Sequence, residues 1–212
     1  MNDTVRIENL QLSWKHETII EQANLTISPG QMVLIRGNSG EGKSTILNMI
    51  AGLIIPSGGQ VYWGDSALYN QQKKHKWVDK NRSEWVGYVF QDHWIAGYLS
   101  GWENICLASK LSKRELDEDL LKEMSSVLFE RDFLKVESNT QLKHVLERYA
   151  KTMSRGERER VTILRAFVTK PRFILADEML NSVDPELKKT LWPFIKEICR
   201  KHKIGLIMVS HE

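Results

Sequence analysis

The chain contains little cysteine. Two cysteines occur among 212 residues, Cys106 and Cys199, and they lie far apart with no metal-ligand spacing. Neither a disulfide-stapled secreted scaffold nor a cysteine-based zinc site is expected from this pattern. Two reduced thiols fit a protein of the cytoplasm.

Long apolar runs are also missing. The longest apolar stretch, ILNMIAGLII, is about half as long as the ~20 residues that a transmembrane helix requires. The N-terminal MNDTVRIENL has no basic region followed by an apolar segment, so we expect no signal peptide. If the protein acts at a membrane, another chain is expected to provide the crossing.

No charge of one sign dominates the sequence. Lys and Arg number 30 and Asp and Glu 27, which gives a formal net charge of +3. So small an excess does not favour nucleic acid or an anionic membrane as the partner. Hydrophobic residues make up 42% and charged residues 27%, as in a globular chain, and the length suggests one domain.

Hydrophobic patterning predicts an α/β fold. Apolar and polar residues alternate at 5–14 and 18–27, which indicates two half-buried strands. Four later segments are nearly continuous apolar runs, typical of strands buried on both faces. They read MVLIR, WVGYVF, RFILAD and IGLIMVS. Helical patterns separate them, so we predict a mainly parallel sheet.

Three further segments complete this interpretation. The polar segment at about 65–83 indicates a mobile surface insertion. At 103–150 the pattern is helical and charged, with the leucines, Met124 and Val127 on one stripe, which predicts a separate helical lobe. Asp184-Pro185 predicts a helix start, and Pro193 is expected to kink that helix.

GNSGEGKST has the spacing of a phosphate-binding loop. It follows the strand MVLIR and precedes the helical pattern KSTILNMIAGL. Glycines let successive backbone N–H groups converge on phosphate oxygens, and the helix N-terminus adds its positive dipole. We expect Lys43 to bridge the β- and γ-phosphates, Ser44 to bind Mg²⁺, and Thr45 to support the α-phosphate side. The expected phosphate-binding residues are Gly37, Asn38, Ser39, Gly40, Glu41, Gly42, Lys43, Ser44 and Thr45.

Two other motifs lie downstream. FILADE is an apolar strand that ends in two carboxylates, at the strand end where open α/β sheets bind ligands. There Asp177 would bind Mg²⁺ and Glu178 would polarise the attacking water. In MSRGERERV, Ser154 and Gly156 precede a helix, so Ser154 is expected to cap it near an anion.

The order of these motifs resembles the nucleotide-binding subunit of an ABC transporter, over nearly the whole chain. An aromatic residue, the P-loop, a glutamine in VFQDHW, the signature MSRGE, the Walker B strand FILADE, the D-loop NSVD and a final histidine follow one another. The resemblance implies that ATP and Mg²⁺ bind here, with Lys43, Glu178 and His211 as catalytic residues. It assigns Mg²⁺ to Ser44, Gln91 and Asp177. The other implied nucleotide-binding residues are Trp14, Gln91, Ser154, Gly156 and Asp184.

The resemblance also implies an architecture and partners. We expect the ABC ATPase fold, with a P-loop core, an N-terminal antiparallel β subdomain and a helical lobe. Within a single domain, 1–90 and 157–212 would form the core with the β subdomain, and about 91–156 the lobe. Two subunits would close head to tail around two ATP molecules. They would energise transmembrane permease subunits from the cytoplasmic face of the membrane, and no nucleic acid is expected.

The sequence departs from the family pattern at three positions. Arg155 replaces a glycine of the usual LSGGQ signature, Met179 replaces a proline, and Asn181 stands where serine or glycine is common. LADE, VGYVFQ and SRGE are most similar to the lipoprotein-releasing and macrolide-exporter group, which favours an exporter. The aromatic pair Trp94 and Trp102, which flanks the segment after Gln91, is expected to line a docking groove for the membrane partner.

Alternative functions remain at this point. One is a nucleotide-binding partner that does not hydrolyse ATP in a heterodimer, which Arg155 favours and the intact Lys43, Asp177 and Glu178 oppose. Another is a non-transport ABC ATPase, although neither a second cassette nor a coiled-coil insertion is visible. The motif order opposes a small-molecule kinase. Cargo, direction of transport, and homodimer against heterodimer stay open.

Overall fold

The structure, a computed structural model, describes residues 2–15, 17–70, 73–92, 94–129 and 146–210. Its strands are β1 (Val5–Trp14), β2 (Glu17–Ile27), β3 (Met32–Arg36), β4 (Gly58–Trp63), β5 (Ser66–Ala67), β6 (Tyr69–Asn70), β7 (Lys73–Lys74), β8 (Val86–Val89), β9 (Phe173–Asp177) and β10 (Gly205–Ser210). Its helices are α1 (Lys43–Ile50), α2 (Lys76–Trp85), α3 (Gly101–Ser112), α4 (Glu118–Leu128), α5 (Arg155–Phe167) and α6 (Pro185–Lys201), with a 3₁₀ turn at Ala150–Thr152.

Two four-stranded sheets organise these elements. One is antiparallel, in the order β2-β1-β4-β5. The other is parallel, in the order β3-β10-β9-β8. Because parallel strands share their carboxyl edge, the P-loop after β3 and the acidic pair at the end of β9 lie at the same edge of the sheet. The predicted fold class, a parallel core with an antiparallel β subdomain and helices, is confirmed.

Strand β9 divides the hydrophobic core. All five of its residues are buried, and their side chains alternate between two clusters. Phe173 and Leu175 pack with the β subdomain and α1, whereas Ile174 and Ala176 pack with the helices α3 to α6. This alternation is the period of two that a strand imposes on its side chains. Burial on both faces therefore places Asp177, at the strand end, within the molecule, and Glu178 just beyond it is half-buried.

The structure differs from the sequence prediction at β3. The apolar run MVLIR predicts a strand buried on both faces, but Leu34 is 39% exposed and Arg36 is exposed. Within the described part of the chain, β3 is an end strand of the parallel sheet, paired with β10 alone. Composition indicates how apolar a strand is, but its position in the sheet is set by long-range pairing.

Described residues of the segment at 65–83, which is predicted to be a mobile surface insertion, support helix α1. The segment contains the hairpin β6–β7 and most of α2, which buries Val78 and Trp85. Its polar groups bind the C-terminal end of α1. The Tyr69 hydroxyl lies 2.6 Å from the Met49 carbonyl oxygen, and Arg82 Nε donates to the Ala51 carbonyl oxygen at 2.8 Å. Trp63 Nε1 donates to the Ile50 carbonyl oxygen at 3.0 Å.

These contacts stabilise a helix end that would otherwise leave carbonyl groups unsatisfied. Arg82 also places a cation at the negative end of the helix dipole. The sequence did not indicate this supporting role, because polar composition does not show where side-chain donors are directed.

Two helix predictions can be compared directly with the structure. The predicted stripe agrees with α4, where Leu120, Leu121, Met124 and Leu128 are buried and Val127 is half-buried, whereas 130–145 lie outside the described residues. Helix α6 begins after Asp184 as predicted, but it continues through Pro193 to Lys201. In the described part of the chain, no helix is both long and apolar enough to cross a bilayer.

Replacing Tyr69 by phenylalanine tests the support of α1. The Tyr69 hydroxyl also lies 2.8 Å from the Ile54 carbonyl oxygen, and its removal leaves both carbonyl groups without this donor. We expect a loss of about 1–2 kcal/mol in the free energy of unfolding, or roughly 2–8 °C in Tm for a chain of this size. Thermal and urea denaturation measure both. Tyr98, which is 77% exposed, offers the matched control Tyr98→Phe, and equal stability of the two variants would contradict the prediction.

Candidate functional site

The P-loop leaves the N-terminus of α1 open. Helix α1 begins at Lys43, and its N-cap is Gly42 in a left-handed conformation at φ 80°. No described side chain caps this helix, so its first N–H groups remain available. Gly40 is also left-handed, at φ 86°. Such an N-terminus is suited to bind an anion, because free donors and the helix dipole point the same way.

Internal hydrogen bonds define the shape of the loop. The Glu41 carboxylate accepts from the Asn38 backbone N–H at 2.8 Å and from its Nδ2 at 2.7 Å, which lowers the pKa of Glu41. Lys43 is 6% exposed, and its Nζ donates to the Gly37 carbonyl oxygen at 2.7 Å and to that of Asn38. The ammonium group therefore lies along the loop, where a bound phosphate would meet it.

A cavity of about 300 Å³ borders the loop. Its lining includes P-loop residues between Ser39 and Thr45, Ile19 of β2, and Gln91 just after β8. The structure thus brings Gln91 to the same cavity as Ser44, although the two residues are far apart in the sequence. A hydroxyl and an amide oxygen are hard donors of the kind that Mg²⁺ prefers.

The acidic pair lies at the end of β9. Asp177 is 6% exposed, and its charge adds to burial in raising the pKa of Tyr88 on the adjacent strand. The Tyr88 hydroxyl donates to Asn48 Oδ1 at 3.1 Å, which connects this strand pair to α1. Within the described residues, no group of three or more His, Cys, Asp or Glu could hold a metal ion. The hydroxyl of Ser44, the amide oxygen of Gln91 and the carboxylate of Asp177 suit Mg²⁺ bound together with a nucleotide, since that ion keeps water and phosphate oxygens as further ligands.

Glu178 lies in a strained turn. Its φ is 55°, its N–H donates to the Val209 carbonyl oxygen at 3.2 Å, and Asn181 Nδ2 donates to its Oε2 at 2.9 Å. The sequence identified Asn181 only as a departure from the family pattern. In the structure it is the amide that orients the carboxylate expected to be catalytic. Its spacing of three residues from Glu178 was the available signal.

A second, larger cleft of about 730 Å³ contains Ser154, Gly156 and Asp184. Ser154 caps α5 as predicted, with its hydroxyl accepting from the Glu157 N–H at 3.2 Å and its own N–H donating to Glu157 Oε2 at 2.7 Å. Asp184 caps α6 by accepting from the Leu187 N–H at 3.0 Å. The signature and the D-loop therefore share one cleft, which has no lining residue in common with the P-loop cavity.

Among the described residues, several predicted site residues do not line either cleft: Trp14, Gly37, Asn38, Glu41, Asp177 and Glu178. Trp14 is 65% exposed at the end of β1 and is not among the residues that line either cavity. Its predicted role in binding adenine stays a prediction. His211 lies outside the described residues. Conversely, sequence reasoning missed Ile19, which lines the P-loop cavity, and Glu159, a buried acid on α5.

Alanine at Gly42 and at Gly40 provides a matched test of the loop. Both positions need a left-handed backbone, which costs alanine about 1–2 kcal/mol. A Cβ at Gly42 would also lie 2.6 Å from Ile19 Cγ2, whereas one at Gly40 would meet no described atom within 4 Å. We expect Gly42→Ala to lower both stability and ATP affinity more than Gly40→Ala. Urea denaturation and titration with a fluorescent ATP analogue measure these effects, and equal losses would contradict the role of the Ile19 contact.

Known proteins show the same architecture. A sequence model of the ABC transporter family matches residues 20–181. The lipoprotein-releasing system ATP-binding protein LolD of Idiomarina loihiensis is 30% identical over 197 residues, which cover 92% of this chain and 80% of that protein. The molybdenum import ATP-binding protein ModC of Brucella suis is 33% identical over 183 residues, which cover 86% of this chain but 47% of that protein.

A solved structure agrees with this assignment. The dimeric structure of MJ0796, described as a bacterial ABC transporter cassette, matches with a TM-score of 0.80 and 25% identity, covering 98% of this chain and 88% of that one. The resemblance predicted from the motif order is confirmed. With the family match spanning most of the sequence, the chain belongs to the ABC transporter family and is one of its ATP-binding ATPase subunits.

Proposed function

We propose that this chain hydrolyses ATP to energise an ABC-type membrane exporter whose cargo is a peptide, lipoprotein, lipid or small hydrophobic molecule. The observation that carries the proposal is the division of nucleotide-binding features between two clefts, one with the P-loop and Gln91 and one with the signature and D-loop. Two subunits arranged head to tail would bring the first cleft of one against the second cleft of the other.

The proposed direction of transport, export, is inferred from the similarity to relatives. The similarity to LolD, whose name describes a lipoprotein-releasing system, extends over 80% of that protein and favours export. The similarity to ModC covers 47% of a protein named for molybdenum import. Another relative, named for import, is matched over a share of its length similar to that of LolD, so export is proposed from the motifs LADE, VGYVFQ and SRGE together with the similarity to LolD.

Within each P-loop cavity, we propose that the α1 N-terminus and Lys43 bind the β- and γ-phosphates. Ser44, Gln91 and Asp177 would hold Mg²⁺, which neutralises charge on those phosphates when it is bound. These residues position ATP for in-line attack, and positioning with charge stabilisation accounts for most of the catalysis in phosphoryl transfer. Trp14 would contact the adenine and His211 the γ-phosphate.

Glu178 would orient the attacking water and accept its proton. Its carboxylate is already held by Asn181 at 2.9 Å, and its backbone is held by Val209. A carboxylate fixed in this way loses little freedom when the reaction begins. Ser154 and Gly156 would act on the nucleotide bound to the facing subunit from the N-terminus of α5, where Ser154 is the cap.

The membrane partner is proposed to dock beside Gln91. Trp94 is 70% exposed and Tyr98 is 77% exposed, an arrangement typical of an interface. Arg165 Nη2 donates to the Trp94 carbonyl oxygen at 2.6 Å, so a hydrogen bond holds the backbone that carries the exposed Trp94 ring. Trp102, the second predicted docking residue, is partly buried and packs against the core, which makes it a structural side chain instead.

The domain boundaries and location follow as proposals. Residues 1–90 and 157–212 would form the catalytic core with the β subdomain, and about 91–156 the helical lobe of the same domain. With a transmembrane permease as partner, the chain would lie on the cytoplasmic face of the membrane. The second ATPase subunit would be an identical or a related chain.

Glu178→Gln tests the proposed reaction. The change keeps the shape of the side chain but removes the proton acceptor, so we expect kcat to fall about 10²–10⁴-fold. ATP binding should remain, and the variant should accumulate an ATP-dependent dimer. Phosphate release and light scattering with and without ATP measure both effects. Glu197→Gln, on an exposed position of α6, is the control expected to keep wild-type turnover.

If wild type binds ATP without turnover, the chain is the non-hydrolysing partner of a heterodimer, which Arg155 in the signature would favour. If Glu178→Gln turns over like wild type, Glu178 is not the catalytic residue.

Trp94→Ala tests the docking surface. We expect the variant to bind ATP as wild type does but to co-sediment several-fold less with inside-out membrane vesicles from cells that produce the permease, because an exposed aromatic anchor is lost. Leu111→Ala is the control, since Leu111 is 77% exposed at the end of α3. Equal sedimentation of wild type and Trp94→Ala would contradict the proposal.

A further inference from the structure

Glu159 is a buried acidic residue that has no part in the mechanism proposed above. It lies in α5 with its side chain 0% exposed. Its neighbours at three, four and seven positions along the helix, Thr162, Ile163 and Ala166, are buried too, so it stands on the core-facing stripe. A carboxyl group in such a place requires polar partners, because burying it without them is strongly unfavourable.

Those partners are in the turn between β9 and α6, residues 178–184, which ends with the D-loop 181–184. Glu159 Oε2 accepts from the Ser182 backbone N–H at 2.9 Å. Burial raises the pKa of Glu159, while hydrogen bonds from Ser182 and from the Leu180 backbone, together with the charge of Arg155, act to lower it. The carboxyl group thus joins the signature helix to a segment 23 positions away in the sequence.

The turn that leads into the D-loop needs such an attachment because its backbone is strained. Leu180 has φ 75° and Glu178 has φ 55°, conformations that residues with a Cβ rarely adopt. Strained positions persist only where the surrounding structure holds them. The β10 side holds this turn through Val209, which accepts from the Glu178 N–H. On the α5 side, Glu159 accepts from the Ser182 N–H.

Ser182 directly follows Asn181, whose side chain donates to the Glu178 carboxylate. The first turn of α5 also lies against the same residue, since a Cβ at Gly156 would be 3.2 Å from the Ser182 carbonyl oxygen. One continuous set of contacts therefore connects the signature helix with Glu178. Any shift of α5 reaches the carboxylate through Ser182 and Asn181.

We propose that Glu159 is a positioning residue for ATP hydrolysis, which holds the D-loop so that Asn181 keeps the Glu178 carboxylate in its reactive orientation. The proposal rests on the catalytic role proposed for Glu178. It assigns Glu159 no contact with ATP or water. It also explains why an acidic side chain occupies a core position, since an apolar one would leave the Ser182 N–H without this acceptor.

Three variants at Glu159 test the proposal. Glu159→Leu keeps the approximate volume and removes the acceptor, so we expect kcat at saturating ATP to fall about tenfold, with the Kd for ATP within twofold of wild type. A tenfold loss is the effect of one displaced hydrogen bond of about 1.4 kcal/mol. Glu159→Gln keeps an acceptor oxygen at the same place and should retain kcat within about threefold. Glu159→Asp moves the acceptor away and should resemble Glu159→Leu.

The matched control is Thr162→Val on the same helix. Thr162 is also 0% exposed, but its hydroxyl donates to the Glu159 backbone carbonyl oxygen within the helix, not to the D-loop. It should lower Tm without lowering kcat. If Thr162→Val and Glu159→Leu lower Tm equally and leave kcat unchanged, Glu159 is merely structural and the proposal is overturned. If Glu159→Leu does not fold, Glu159→Asp and Asn181→Ala decide, and wild-type kcat in both overturns it as well.

A double-mutant comparison separates this proposal from the role of Glu178. Glu159→Leu and Asn181→Ala should be non-additive in kcat, because both act through one carboxylate. In the Glu178→Gln background, Glu159→Leu should not lower the residual rate further. If Glu178→Gln abolishes turnover while Glu159→Leu keeps it, the positioning proposal alone fails. If Glu178→Gln keeps turnover, the proposed catalytic role fails, whatever Glu159 does.

Discussion

A helix that binds phosphate with its N-terminus must leave that terminus uncapped, and this constraint shapes the surroundings of α1. Most helices satisfy their first N–H groups with a side-chain oxygen. Here Gly42 stands at the cap position without one. Stability must come from elsewhere, and the structure supplies it at the opposite end. Trp63, Tyr69 and Arg82 bind the last carbonyl groups of α1, so the antiparallel sheet and α2 support the phosphate-binding loop from behind.

Helix α5 contacts the signature, the turn that contains Ser182, and the backbone of Trp94. Its own N-terminus carries the reciprocal capping bonds of Ser154 and Glu157, which fix the start of the helix at the signature. Further along, Glu159 bonds the D-loop and Arg165 bonds the backbone of Trp94. One rigid helix therefore touches the signature cleft, the turn with Glu178 and the proposed docking surface. Contacts from one helix thus connect these three places.

The fold was predictable from sequence because its signals are local. The alternation in β1 and β2, the buried run of β9 and the P-loop spacing each lie within a short window. The edge position of β3 and the support of α1 by Tyr69 and Arg82 were not predictable, since they depend on contacts between distant segments.

The candidate site shows the same limit. Motif spacing identified Asp177, Glu178 and the loop, whereas the hydrogen bond of Asn181 had only its three-residue spacing from Glu178 as a signal, and the burial of Glu159 has no sequence motif. The strongest available hint for Glu159 was an acid on an apolar helical stripe. Residues that position other residues have weak sequence signals, because their role depends on which residues they contact in the fold and not on their own chemistry.

The shared strand β9 has a consequence for how the molecule comes apart. Phe173 and Leu175 belong to one core, and Ile174 and Ala176 to the other, within a single five-residue strand. If β9 leaves the sheet, apolar side chains of both cores become exposed to water, so neither core is expected to unfold alone. Unfolding of the described regions is therefore expected to be a single cooperative transition, and damage on the helical side weakens the nucleotide side from a distance.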